Sequence, residues 1–138
     1  MNNKYLLLKN YKEKEIIVNS IESIADKLNL RKEKENLYSS LADLDLYLDV
    51  NDEDFHFLGI RVMNSEEFER DKIIVDGEEY FIELSIDHES FEERFIHMFL
   101  KEFLPFYPEM IIADESTTEF YTIEDLQNNN IPWLQRSF

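Results

Sequence analysis

The sequence has no cysteine, two glycines and three prolines among its 138 residues. Without cysteine there is neither a disulfide framework nor a Cys-based zinc site, which fits a reducing compartment. The two glycines, Gly59 and Gly77, stand in no phosphate-cradling loop and no G-x-S-x-G nucleophile elbow. Long apolar runs are missing as well. "MNNKYLLLKNYKEKE" holds three consecutive leucines before charge returns, too short for a signal-peptide core, and no window nears the roughly 20 apolar residues of a membrane span. A cytoplasmic location and no membrane partner are therefore expected. Basic residues are scarce beyond position 34: residues 1–34 hold eight bases and five acids, whereas 35–138 hold six bases and 26 acids, a net of −20 within a total of −17. Such a field repels nucleic-acid backbones and speeds encounters with basic proteins, so nucleic acid is not an expected partner.

What is present argues for a packed core. Hydrophobic residues make up 43% and aromatics 14%, well above the composition of disordered chains. A chain of this length buries roughly two-thirds of the surface its unfolded form exposes, and with no repeat or linker it reads as a single domain, 1–138.

Local patterns set out an α+β fold. "KYLLLKNY" (4–11) reads as a strand buried on both faces. Asn10 and Glu13 resemble a capping box that opens a helix carrying Ile17, Ile21, Ile24, Ala25 and Leu28 on one stripe. "RKEKENLYSSLADL" reads as a second helix through Leu37, Leu41 and Leu44. The period then changes to two: Leu44, Leu46, Leu48 and Val50 alternate with Asp45, Tyr47 and Asp49, a strand with one wet face. "FHFLGIRVM" (55–63) is its neighbour, and "NSEEFER" a polar excursion. Asp76-Gly77 between two β-rich runs suits a type I′ hairpin turn. Tyr80, Ile82, Leu84 and Ile86 are expected on one face, opposite Phe81, Glu83 and Ser85, in a four-strand meander over about 44–86. Ser90 and Glu93 form a capping box for a Phe-rich helix (88–104) with Phe91, Phe95, Met98, Phe99 and Phe103 as its stripe. Thr122 caps a short helix, and Trp133 and Leu134 dock the tail. The expected architecture is an antiparallel sheet of about five to six strands packed against N-terminal helices and the long Phe-rich helix.

Chemistry-bearing motifs are few. An EF-hand frame begun at Asp49 puts Asp54 where glycine is required and Ile60 where glutamate is required, so no metal site is expected. A metal-dependent nuclease hairpin needs Glu-x-Lys, and here Glu83-x-Ser85 lacks the cation. His56, His88 and His97 assemble no HExxH or triad order; His88 reads as part of a helix start and His97 as largely exposed. No catalytic residue, cofactor or metal is expected, and the chain does not read as an enzyme. Ile96, Leu100 and Leu104 add more apolar positions than one helix face needs, so that helix is either central to the fold or part of a homo-oligomeric contact.

The densest acidic stretch is "EMIIADESTTEFYTIEDL" (109–126), which holds six acids, no Lys or Arg, and Phe120 with Tyr121. Acids interleaved with aromatics combine long-range attraction with contact area. With its preceding residues, "FLPFYPEMIIADESTTEFYTIEDL" resembles the C-terminal segments of immunity proteins of bacterial polymorphic-toxin and contact-dependent growth inhibition systems. That resemblance implies a protein that blocks a cognate toxin, such as a basic nuclease, by occupying its site. The candidate contacts are Asp114, Glu115, Glu119, Tyr121, Glu124 and Asp125, with the wet face of Asp45, Tyr47 and Asp49. Two other readings stay open: a small-molecule-binding domain or enzyme with a pocket between the sheet and helix 88–104, and a DNA-mimic inhibitor.

Overall fold

A computed structural model describes residues 2–10, 12–35, 42–50, 54–63, 72–88 and 93–134. Among them, eight strands form one antiparallel sheet and three α-helices accompany it. The chain is thus α+β, with more strands than the five to six expected. The strands are β1 (Asn2–Leu8), β2 (Arg31–Glu35), β3 (Ala42–Val50), β4 (Asp54–Val62), β5 (Lys72–Val75), β6 (Glu78–His88), β7 (Ile111–Ala113) and β8 (Phe120–Tyr121). The helices are α1 (Lys14–Lys27), α2 (Glu93–Phe103) and α3 (Ile123–Gln127). Among the described residues, no helix is long and apolar enough to cross a membrane.

One strand that was not expected is β2. Arg31–Glu35 is not part of a second helix; it pairs with β3, Arg31 opposite Tyr47 and Glu35 opposite Asp43. Its five residues are all charged and give a helix no apolar stripe, whereas an outer strand accommodates them, and charge on an edge discourages edge-to-edge pairing. The end of that expected helix, Ala42 to Leu44, opens β3, and its middle (36–41) lies outside the described residues, as do "NSEEFER" and the Ser90 cap. Helix α1 also starts later than expected: Glu13 is its N-cap and makes no side-chain capping bond.

The strand order is β2-β3-β4-β6-β1-β7-β8, with β5 also on β6. This is not a plain meander. β6 runs for eleven residues and β5 for only four, so the hairpin covers Glu78–Phe81 and leaves Leu84–His88 to pair with β4 on the same edge. The hairpin turn itself is as expected, with Asp76 at φ 50° and Gly77 at φ 79°, the two left-handed positions of a type I′ turn.

Opposite that edge, β1 pairs with all but the start of β6, and the register slips between Leu6, opposite Leu84, and Leu7, opposite Ile82. Glu83 is the extra residue, a β-bulge. The slip switches the parity of β6. Leu84 and Ile86 join the core under the helices, while Ile82 and Tyr80 join a second cluster with Leu7, Val75, Ala113 and Phe120. The four residues expected on one face are therefore divided between two, because the bulge inserts one residue into a two-residue period.

The main core lies between one sheet face and the helices. Leu6, Leu8, Leu44, Leu46, Leu58, Ile60, Leu84 and Ile112 meet Ile17, Ile21, Ile24 and Ala25 of α1 and Phe95, Ile96, Phe99, Leu100 and Phe103 of α2. The Phe99 and Phe103 rings stack at 5.3 Å, and truncating either to Ala should cost about 3–5 kcal/mol. Ile96, Leu100 and Leu104 are fully buried, which makes α2 central to the fold. Ser20 Oγ lies 2.9 Å from the Tyr107 hydroxyl, and Lys27 Nζ 2.6 Å from Glu102, so polar contacts tie α1 to α2 and the turn after it.

Scarcity of glycine leaves a mark on the turns. Asn29, Asp76, Thr117 and Asn129 all adopt left-handed φ between 50° and 56°. After α1, Asn29 turns the chain so that the Leu30 amide reaches the Ala25 carbonyl at 2.8 Å; after α3, Asn129 does the same for Asn130 and Asp125. Both ends are Schellman motifs with Asn in the place that glycine usually takes.

Candidate functional site

The acidic stretch folds into a loop pinned by its own carboxylates. β7 and β8 pair, Ala113 opposite Phe120, and the loop between them closes on Asp114. Asp114 Oδ1 accepts the amides of Thr118 and Glu119, both at 2.8 Å, and Oδ2 accepts the hydroxyls of Ser116 at 2.7 Å and Thr118 at 3.1 Å. Burial pushes this carboxyl up, but the bonds from Glu119, Ser116 and Thr118 outweigh it and hold the group below its usual 3.8. The following helix is capped as the sequence implied: the Thr122 hydroxyl accepts the Asp125 amide at 3.3 Å, and Asp125 Oδ2 accepts the Thr122 amide at 2.9 Å. Asp114 and Asp125 thus build the segment, and the acids it presents are Glu115, Glu119 and Glu124, all exposed.

The aromatics of this stretch are not free anchors. Tyr121 is half-buried against the helix-side core, Phe120 packs into the second cluster on the other face, and Trp133 lies against the helix-side core. Burial, followed by the hydrogen bond to Glu119 at 3.0 Å and the surrounding carboxylates, raises the Tyr121 phenol above its usual value.

Asp45 and Tyr47 share the sheet face turned away from the helices, since Leu44 and Leu46 between and beside them point into the helix-side core. Both are half-buried. Asp49 continues their alternation in β3, and its side chain lies outside the described residues. Arg31 stacks on Tyr47, its guanidinium carbon 4.1 Å from the ring centroid, while donating to Glu33 at 3.1 Å. The Tyr47 and Phe57 rings are 5.3 Å apart. Burial and the charges of Glu33 and Asp45 raise the Tyr47 phenol, against the pull of Arg31.

The two groups of candidate contacts are not brought together. β3 and β8 are five strands apart in the sheet, roughly 24 Å at about 4.8 Å per strand. Asp45 and Tyr47 also lie on the helix-free face, while Tyr121 turns toward the helices. Each is a separate surface.

Three features escaped sequence reasoning. Glu83 is fully buried at the bulge, with Ser85 nearly so, and neither burial shows in an alternation that only sets both opposite Ile82, Leu84 and Ile86. His88 is no helix cap: it ends β6 at 2% exposure, with Nε2 3.3 Å from Lys4 Nζ, and Lys4 in turn sits 4.8 Å over the Trp133 ring. His97 is half-buried rather than largely exposed, and burial with nearby Lys101 lowers its pKa. The side chain of His56 lies outside the described residues. Among the described residues no group of three or more His, Cys, Asp or Glu side chains could hold a metal ion. No known family model, curated protein or solved structure matches the chain.

Proposed function

We propose that the protein works by binding a basic protein partner through its acidic surface, as an immunity protein that neutralises a cognate toxin by covering its site. One observation carries this reading: Glu115, Glu119 and Glu124 project from a segment whose backbone is already fixed, and no cation pairs with them among the described residues. Ion pairs such as Lys9–Glu78, Lys27–Glu102, Arg31–Glu33, Lys32–Asp26 and Lys72–Glu79 lie elsewhere. A pinned loop loses little conformational entropy on association, and its unneutralised charge steers a basic partner toward it. On this reading the protein performs no chemistry. The test is to immobilise the purified protein and pass over it a lysate of the cells that make it. Retention of a basic protein that weakens as salt rises supports the reading, and salt-independent retention or none overturns it.

A further inference from the structure

We draw no further inference here: the strongest candidate, the side-chain cluster of Lys4, His88 and Trp133 where β1, the end of β6 and the turn at Pro132–Leu134 meet, is already committed to the fold, since Lys4 and His88 both have further contacts within the chain.

Discussion

Asp114 and Glu119 hold each other twice: the Glu119 amide donates to Asp114 Oδ1 at 2.8 Å, and the Asp114 amide donates to the Glu119 carbonyl at 3.2 Å. A carboxylate that looks like part of a charged surface is in fact the fastening of the loop that presents that surface. Its ionised form accepts four hydrogen bonds, and protonation weakens all of them.

The sign of the pH effect follows. A carboxyl held below its unfolded value of 3.8 stabilises the fold fully above that value, and the contribution is lost as pH falls through the lower folded pKa. Asp114→Asn should cost about 1 kcal/mol at pH 7, a figure kept small because the group is half-exposed. Urea titrations of wild type and variant should converge only as pH falls through the lower folded value, below which the wild-type carboxyl is also neutral. A gap that persists at that pH would assign the loss to shape and not to charge.

Thr117 sits inside the same loop at φ 54°, a left-handed conformation that a β-branched residue adopts at a cost. Its hydroxyl donates only to the adjacent Ser116 carbonyl, at 2.7 Å, on an exposed turn. Thr117→Asn should therefore raise stability by about 0.5–1 kcal/mol, read as a higher midpoint in urea. Asn already fills the equivalent conformation at Asn29 and Asn129.

His97 titrates against two neighbours in the fold, its own burial and Lys101 one turn on. Its folded pKa lies below the usual 6.5, so the unfolded chain binds the proton more readily and stability falls as pH drops from 6.5 through the folded value. Imidazole proton resonances followed through that range should give a midpoint below 6.5, and Lys101→Gln should raise it part of the way, leaving the larger share due to burial. Full restoration by Lys101→Gln would assign the whole shift to charge.

Glu83 explains where the sequence was legible and where it was not. Patterns confined to one element were readable: the α1 stripe, the Asp76-Gly77 turn, the Thr122 cap and the Phe-rich helix each follow from spacing along the chain. The bulge was not, because alternation is read with a fixed period of two and an inserted residue leaves no mark of its own in β6. β2 failed for a related reason: five charged residues carry no periodic signal, and what makes them a strand is the edge of β3, a long-range partner. The separation of Asp45 and Tyr47 from the 114–125 segment likewise depends on strand order, which spacing does not encode. Deleting Glu83 tests the bulge. Without it Ile82 and Leu84 become neighbours, opposite Leu7 and Leu6 in a regular ladder, and each keeps the face it already has. The deletion should therefore leave both clusters in place and cost no more than about 3 kcal/mol, the bond from the Met63 amide to the Glu83 carbonyl, 2.8 Å, being what it loses. A larger loss in urea would show that the extra residue is needed at this position.

The acidic loop gives the sharpest division between folding and function. Asp114 and Asp125 are needed to build it, so substituting them would confuse a lost contact with a lost structure. Glu115, Glu119 and Glu124 are exposed, and the single side-chain bond among them is the one that Glu119 accepts from Tyr121 at 3.0 Å. Reversing all three to Lys moves the formal net charge of −17 by two units per residue and leaves the rest of the fold unchanged. Stability should change by about 1 kcal/mol or less, because surface substitutions away from buried partners act weakly. Capture of the basic partner, by contrast, should fall by at least about a hundredfold at low salt, with the loss shrinking as salt screens the field. Surface-plasmon titration at two ionic strengths measures both effects. Capture that survives the triple reversal at low salt would leave this loop as solvated surface and move the contact to the opposite end of the sheet.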